Sequence, residues 1–508
     1  MNKQIKRSLM LIIAITIAVT SVAQIDKKRE FRGAWIHVIN QSQYAGMNVS
    51  QMRKYFTKML DNLNENNVNA VIFQVRPAAD AFYRSKLEPW SRYLTGVQGK
   101  APDEGFDPLD FMVTECHKRG MEIHAWMNPY RVTASKNDVL SDKHLYHSDK
   151  DRFVHYDNRI FFDPGLPQNR KFICAVVKDI VTRYDIDAVH FDDYFYPYPV
   201  AGERFDDDFS FEVYASRQGF TSNRRADWRR NNVNLLIEQV HNTIVATKPW
   251  VRFGISPFGI YRNKRSTADG SGSETNGLQN YDDLYADVIL WAQKGWIDYL
   301  VPQIYWEIGY KPADYETLVK WWSKHVKNAE LYIGQDIART VKKPDPQNPA
   351  INQLPRKMAL ERNLHEIGGH CWWPGYEILN NMAGVADSLK NNCQRYPSLI
   401  PPYSRLHDRK PKEVKALRAE WTAEGYLLYW EQNGDTNNPE SAQYYVVYRF
   451  AKKQKRNLNN PANIVAKTRD TYYKLPYENG AQKYKYVVTA VDRFHNESKR
   501  GKSKNVKL

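Results

Sequence analysis

Short apolar runs alternate with amphipathic stretches along most of this chain. Segments such as 52–64, 108–119, 170–184 and 231–247 place apolar residues at helical spacing. A doubly wound open sheet is a rival fold, but it usually needs fewer strands than this chain offers. The alternation therefore favours an α/β fold of the (β/α)8 TIM-barrel type, which requires eight strands. The candidate strands are 32–38, 70–75, 122–127, 188–194, 252–258, 299–306, 331–337 and 369–376.

The pattern changes beyond the eighth run. Prolines and basic residues cluster at 398–411, which is typical of a linker. The segments that follow are short, rich in tyrosine and separated by turn residues, which predicts a small all-β sandwich of fibronectin type III kind. We therefore expect a barrel over 30–398, a linker over 399–411 and a sandwich over 412–508. The candidate sandwich strands are 426–430, 444–450, 471–475 and 484–491.

The first residues have the pattern of an export signal. Two lysines and an arginine precede an apolar run at 9–19, and small residues ending at Ala23 follow it. This order predicts a Sec signal peptide over 1–23. No cysteine follows the expected cleavage site, so a lipid anchor is not predicted, and no other run is long enough to span a membrane. We expect a periplasmic or secreted protein.

Composition adds constraints on partners. The 508 residues include 33 Tyr and 14 Trp, a surplus that suits both a large core and a groove that stacks on sugar rings. The net charge is +16, mostly from residues beyond Arg409, which indicates either a solvated surface or affinity for an anionic envelope surface. An exported chain without a binding motif for nucleic acid is not expected to bind it. The four widely spaced cysteines are expected to be buried thiols.

Polar and aromatic residues recur where the candidate strands end. The fourth run carries His190 and then the pair Asp192 and Asp193. In a parallel barrel the carboxyl ends of all strands meet at one face, so these residues are expected to share a site. The candidate substrate-binding residues are Trp35, Gln74, Arg76, Asp80, Tyr83, Trp126, Asn128, His190, Tyr194, Tyr196, Arg262, Asn263, Gln303, Tyr305, Trp306 and Trp373.

Two carboxyl groups are needed to cleave a glycosidic bond, one protonated and one charged. The candidates are Asp192, Asp193 and Glu307. Glu307 follows Tyr305 and Trp306, whose rings favour the protonated carboxyl of a general acid, and one of the two aspartates would then be the nucleophile or the water-activating base. Arg76 or His190 would hold that aspartate ionised. The alternative for the aspartate pair is that it merely caps the next helix.

Several motifs in sequence order resemble the glycosyl-hydrolase-like family 10 proteins. They are FRGAW at 31–35, FQVRP at 73–77, HFDDYFYP at 190–197, ADWRRNNVN at 226–234, FGISPFGI at 253–260 and PQIYW at 302–306. The resemblance covers about 30–400 and implies a barrel that hydrolyses glycan strands, with peptidoglycan lacking stem peptides as the substrate class. The run CWWPGYE at 371–377 departs from the family's usual pattern, which affects the detail of the sugar subsites.

Two other functions fit parts of the pattern. A metal-dependent polysaccharide deacetylase also uses a Phe-Asp-Asp motif, but it needs a histidine pair at helical spacing. The nearest pair, His144 and His147, lies in a polar loop with no matching motif after it. A glycan-binding barrel without catalysis would keep the aromatic residues and lose the carboxylates. We predict a hydrolase that uses neither a metal nor another cofactor.

Overall fold

The computed structural model describes residues 26–435, 437–477 and 482–507, so the predicted signal peptide lies outside the described residues. Ten strands precede residue 398, and eight of them close into a parallel barrel in the order β1-β2-β3-β6-β7-β8-β9-β10. The strands are β1 (Phe31–Ile36), β2 (Ala70–Arg76), β3 (Glu122–Met127), β4 (Phe153–Tyr156), β5 (Arg159–Phe162), β6 (Ala188–Phe191), β7 (Arg252–Ile255), β8 (Tyr299–Leu300), β9 (Glu330–Asp336) and β10 (Ile367–Trp373).

The (β/α)8 barrel predicted from the alternation of apolar runs is confirmed. The barrel strands are almost wholly buried because each carries side chains toward both the barrel interior and the surrounding helices. One strand is much shorter than predicted. β8 ends at Leu300, since Pro302 has no N–H to donate to a sheet. Gln303 nevertheless bridges to Phe258 and Gly334, so the chain continues along the barrel to its rim.

Amphipathic helices surround the barrel and begin at recognisable signals. Asn48 and Gln51 form a reciprocal capping box at the first long helix, and Pro108 and Pro167 open two others. The α-helices are Val49–Glu65, Arg92–Thr95, Pro108–Lys118, Leu145–Ser148, Pro167–Arg183, Asp208–Tyr214, Arg225–Thr247, Asn280–Asp283, Val288–Lys294, Tyr315–His325, Ile337–Val341, Leu354–Asn363, Tyr376–Leu379 and Val385–Ser388.

The two strands outside the barrel, β4 and β5, form an antiparallel hairpin. The hairpin lies within the long connection between β3 and β6, where no strand was predicted from the sequence. Arg131 bridges to Phe161 of β5, so the hairpin holds the first part of that connection in place. A loop that is braced in this way can position side chains at the barrel rim.

Two antiparallel sheets follow the barrel. One has the order β11-β12-β15 and the other β14-β13-β16-β17, and Leu428, Tyr445 and Val488 contribute to an apolar core of this C-terminal region. The fibronectin type III character of the module stays a prediction. Its strands are β11 (Arg418–Thr422), β12 (Gly425–Tyr429), β13 (Tyr444–Ala451), β14 (Ile464–Thr468), β15 (Tyr472–Lys474), β16 (Lys483–Val491) and β17 (Lys504–Lys507).

The C-terminal module closes the amino-terminal end of the barrel. Glu122, the first residue of β3, pairs with Arg252 at 2.7 Å and lies 2.8 Å from Nε2 of His495 in the module. Tyr403, which precedes the module, donates a hydrogen bond to the same carboxylate. Although burial opposes it, the charges of Arg252 and His495 hold the pKa of Glu122 well below its usual value. The opposite, carboxyl end of the barrel remains open.

The cysteines and the lengths of the helices were the subject of two further expectations. Cys116, Cys371 and Cys393 are buried, Cys174 is half-buried, and all four are free thiols. Among the described residues, no helix is both long enough and apolar enough to cross a membrane.

Candidate active site

The open end of the barrel contains a cavity of about 620 Å³. Residues from the carboxyl ends of the strands line it, as the sequence predicted for a parallel barrel. Eight of the predicted substrate-binding residues take part, together with Asp192. The eight are Trp35, Gln74, Trp126, Tyr194, Gln303, Tyr305, Trp306 and Trp373.

Aromatic rings form much of the cavity wall. Trp373 lies 6.1 Å from Trp126 and 6.4 Å from Tyr305, measured between ring centroids. On another part of the wall, Tyr194 stacks on Tyr198 at 5.3 Å. Rings presented to a cavity bind the apolar faces of pyranose sugars, while their edges leave room for polar groups. The lining therefore suits a carbohydrate.

Asp192 follows the last residue of β6 and is held by donors from three directions. Nε1 of Trp126 donates to its carboxylate at 3.2 Å, the backbone N–H of Tyr194 donates at 3.3 Å, and the side-chain amide of Asn128 donates as well. Burial raises the pKa of Asp192, whereas the charge of Arg131 and these donors act against that rise. Three donors and a cation favour the ionised form of this carboxyl.

A chain of amides fixes the orientation of Asn128. The side-chain oxygen of Gln74 accepts from the backbone N–H groups of Val38 and Ile39, both at 3.0 Å. The NH₂ group of Gln74 therefore faces Asn128 and donates to its side-chain oxygen at 2.8 Å. That contact leaves the NH₂ group of Asn128 to donate to Asp192. Gln74 and Asn128 thus position the carboxylate of Asp192 from behind the cavity wall.

Asp193 has a different environment from its neighbour. It lies beneath the cavity lining and is only 2% exposed, and Oδ2 accepts a hydrogen bond from the hydroxyl of Tyr198. Within the described part of the chain, Oδ1 has no hydrogen-bond partner. Burial and the charge of Asp192 raise the pKa of Asp193 to about 7. At neutral pH the two carboxyls can therefore share one proton.

The cation near Asp192 is neither of the two predicted from the sequence. Arg76 pairs with Glu88 at 2.6 Å and does not line the cavity. Burial lowers the pKa of His190 well below its usual value, so this ring is neutral, and it lies 2.9 Å from the hydroxyl of Ser256. Arg131, in the loop after β3, lines the cavity and acts on Asp192. The assignment to Arg76 or His190 is therefore wrong.

Glu307 follows Trp306, a residue of the cavity wall, but does not line the cavity itself. Its carboxylate pairs with the ammonium group of Lys343 at 3.3 Å, and Lys343 is half exposed. The described residues that line the cavity do not include Glu307. A catalytic role for Glu307 therefore stays a prediction.

Several predicted binding residues support the site without lining it. Asn128 and His190 stand directly behind the lining. Asp80 and Tyr83 are buried in the core, and Arg262 pairs with Asp282 in a loop. These residues were predicted to bind substrate because they lie at or beyond strand ends. Many of them make contacts that stabilise the protein near the rim and do not reach the cavity. The predicted binding residues outside the cavity lining are Arg76, Asp80, Tyr83, Asn128, His190, Tyr196, Arg262 and Asn263.

The sequence interpretation missed cavity residues that lie in loops or at the end of β9. Asp336 is the last residue of β9, and its position at a strand end was the signal that would have identified it. Burial raises the pKa of its carboxyl. Most of the others lie beyond strand ends, where periodicity gives no guidance, whereas Arg159 begins β5 and Arg339 lies in the helix that follows β9. The cavity residues outside the predicted set are His37, Ile39, Asn40, Arg131, Ala134, Arg159, Tyr198, Ser256, Phe258, Asp336 and Arg339.

Comparison with known proteins places the chain among glycosyl hydrolases. Residues 30–352 match the family described as glycosyl hydrolase-like 10. The glycosyl hydrolase YngK of Bacillus subtilis (strain 168) is 40% identical over 514 residues, which cover 99% of this chain and 98% of YngK. The glycosyl hydrolase DigH of Escherichia coli (strain K12) is 37% identical over 371 residues, which cover 68% of this chain and 82% of DigH.

Similarity to solved structures is more distant. The glycoside hydrolase domain of PgaB (BpsB) from Bordetella bronchiseptica aligns with 71% of this chain and 98% of its own length, at a TM-score of 0.48 and 11% sequence identity.

Proposed function

This chain belongs to the glycosyl hydrolase-like 10 family, and from that premise we propose that it cleaves a cell-envelope polysaccharide, with peptidoglycan glycan strands lacking stem peptides as its substrate. The observation that carries the proposal is the adjacent pair of Asp192, which lines an aromatic-walled barrel mouth, and Asp193, which is buried behind that lining. We infer that Asp192 acts in its charged form and Asp193 in its protonated form, which is the combination that glycosidic cleavage requires.

In the proposed reaction, Asp193 gives its proton to the leaving oxygen as the bond between that oxygen and the anomeric carbon breaks. The charge of Asp192 stabilises the positive charge that develops on the sugar ring. Water then adds its hydroxyl to the anomeric carbon, and its remaining proton restores the protonated state of the pair. Each turnover consumes one water and creates one reducing end.

Export supports the choice of substrate. The signal-peptide pattern over 1–23 and the basic C-terminal region suit a protein that works at an anionic envelope, outside the cytoplasm. We further propose that the module beyond residue 412 is of fibronectin type III kind and acts as a spacer, separate from catalysis. Sequencing the amino terminus of the exported protein tests the first point, since cleavage after Ala23 is expected.

The deacetylase alternative is less well supported. His144 is buried in its loop, where Nδ1 accepts from the backbone N–H of Tyr146 at 3.1 Å and Nε2 lies 3.2 Å from the carbonyl oxygen of Ala79. Both ring nitrogens are therefore engaged with the backbone and are not free to bind a metal. His144 therefore braces its loop instead.

The proposal is tested by incubating the mature protein with peptide-free peptidoglycan strands, with and without chelator, beside an Asp193→Asn variant. New reducing ends that persist with chelator and are lost in the variant support hydrolysis. Acetate release that chelator blocks would instead identify a deacetylase. Binding without any product would identify a glycan-binding barrel, and intact peptidoglycan as the better substrate would refute the preference for stripped strands.

A further inference from the structure

Two arginines line the cavity from opposite sides of the barrel. Arg131 follows β3 and Arg339 follows β9, and both line the cavity. In the closed barrel three strands separate β3 from β9 in either direction, so the two side chains come from opposite walls. Whatever sugar chain crosses the mouth between these walls therefore passes two guanidinium groups.

Neither guanidinium is neutralised by an ion pair within the described ranges. Arg159, the third arginine of the cavity, pairs with Asp157, whereas no carboxylate of the described residues lies within 4.0 Å of the guanidinium nitrogens of Arg131 or Arg339. Asp336 contacts Arg339 through the backbone N–H of that residue, at 2.7 Å. The guanidinium of Arg131 instead lies 4.3 Å above the ring of Tyr194. A guanidinium that stacks on a ring keeps its in-plane N–H groups free to donate to a carboxylate.

Resting on the proposed function, we propose that Arg131 and Arg339 bind carboxylates of the glycan on the two sides of the cleaved bond. They thereby select a sugar polymer that carries free carboxylates on alternate residues. Arginine suits this role because its planar fork of donors binds a carboxylate in two-point fashion.

This selection explains why stripped strands would be the substrate. In peptidoglycan every second sugar carries a lactyl group, and the stem peptide is joined to the carboxyl of that group by an amide bond. Removing the peptide exposes the carboxylate, whereas an attached peptide leaves a neutral amide that cannot pair with an arginine. A polymer of N-acetylglucosamine alone has no such group.

The two arginines also reduce the electrostatic repulsion between the cavity and an anionic glycan. Asp192 and Asp336 both line it, and their charges would repel an anionic sugar chain. A cation on each wall offsets that repulsion at the place where the substrate's own charges lie. Arg131 has a second effect, because it also acts on the ionisation of Asp192. Arg339 acts instead on the ionisation of Asp336, so its replacement leaves the cation that acts on Asp192 in place.

The experiment compares two forms of the same peptide-free strands, one native and one with its lactyl carboxyls converted to methylamides. For the wild-type protein, kcat/KM is expected to be about tenfold or more lower on the amidated strands, which is the usual effect of a lost charge-assisted hydrogen bond. In Arg339→Gln the ratio between the two substrates is expected to shrink, mainly through a higher KM on native strands.

Two further variants sharpen the comparison. Arg131→Lys keeps a charge near Asp192 but loses the two-point fork, so it should raise KM on native strands more than it lowers kcat. Arg265→Gln is the matched control, since Arg265 lies in an exposed loop after β7 and does not line the cavity. This control should preserve the wild-type ratio. Added salt should raise KM for native strands and leave KM for amidated strands nearly unchanged.

The outcomes separate this inference from the proposed function. Equal wild-type rates on native and amidated strands would overturn the role of the arginines and leave the hydrolase intact. A wild-type ratio that Arg339→Gln and Arg131→Lys both preserve would also overturn it. Failure to cleave either substrate would refute the proposed function itself.

Discussion

The indole N–H of Trp126 donates a hydrogen bond of 3.2 Å to the carboxylate of Asp192, which joins the end of β3 to the end of β6. Asn128, two residues further along, donates to the same oxygen. The two donors are two positions apart at one strand end and so share the face toward the barrel interior, where the adjacent strand brings its carboxylate to them. The charge of Asp192 therefore depends on its neighbouring strand.

Replacing Asn128 by Ala should move the acidic limb of the pH–rate profile to higher pH. The variant removes a donor that stabilises the ionised form of Asp192, so the pKa of this carboxyl should rise further above its ordinary value. We expect kcat to fall by about tenfold near pH 5 and by less near pH 7. Trp126→Phe, which keeps a ring but loses the N–H, should shift the limb in the same direction. An unchanged limb in both variants would disprove this role for the donors.

Activity should fall as the pH rises through about 7, because Asp193 must be protonated to donate its proton. Asp193→Asn removes that proton and should lower kcat by about 100-fold to 10,000-fold on glycan strands. The variant should also lose the basic limb. A substrate with an acidic aryl leaving group needs little protonation of that group, so the loss of kcat in the variant should be much smaller on such a substrate. Equal losses on both substrates would argue against Asp193 as the acid.

Glu307→Gln should leave kcat within about threefold of the wild type, since the carboxylate of Glu307 pairs with Lys343 outside the cavity lining. The ion pair is partly exposed, so its loss should cost no more than about 1 kcal/mol of stability. Measuring kcat of Glu307→Gln and Asp193→Asn side by side compares the two losses of activity. A loss in Glu307→Gln as large as that in Asp193→Asn would restore Glu307 as the general acid predicted from its aromatic neighbours.

The barrel could be predicted from the sequence because buried parallel strands read as uninterrupted apolar runs. The predicted run at 70–75 differs from β2 by one residue, and the run at 122–127 matches β3. The edge strands β11, β14 and β17 of the C-terminal module were missed. They carry charged residues such as Arg418 and Lys504, since exposed edges are protected by charge rather than by apolar residues.

The site was only partly predictable, for a different reason. Strand ends identify which residues reach the barrel mouth, so Asp192, Trp126 and Gln303 were found. Strand ends do not identify which side chains contact one another across the rim of the barrel. Arg76 follows the same pattern as Gln74 but turns to Glu88, whereas Arg131 reaches the cavity from a loop that the β4–β5 hairpin braces. Loop geometry is set by such tertiary contacts and has no period in the sequence.

Trp373→Leu should weaken substrate binding more than it slows the chemical step. The ring of Trp373 lies in the cavity wall beside Trp126 and Tyr305, where it offers a flat apolar face to a sugar. We expect KM to rise by about tenfold while kcat changes by less than threefold. Trp421→Leu is the control, because Trp421 is 64% exposed on the C-terminal module and lies outside the cavity. A fall in kcat without a change in KM would contradict a binding role.

Glu122→Gln should destabilise the joint between the barrel and the C-terminal module by about 3–5 kcal/mol, because it leaves the buried Arg252 without its counter-ion. Chemical denaturation at pH 7 measures the loss. Since the folded protein holds the pKa of Glu122 well below its usual value, the wild-type advantage should be present at neutral pH and should shrink as the pH falls below about 4.5, the ordinary value of a glutamate.

His495→Ala removes the module's own contact with the same carboxylate at 2.8 Å. Because both substitutions disrupt one network, the double variant Glu122→Gln, His495→Ala should be more stable than the sum of the two single losses implies. Additive losses would mean that the module is attached independently of Glu122. Since the catalytic cavity lies at the other end of the barrel, kcat at temperatures below unfolding should stay close to the wild-type value in all three variants. A large fall in kcat without unfolding would show that the contact between the C-terminal module and the barrel also affects the geometry of the active site.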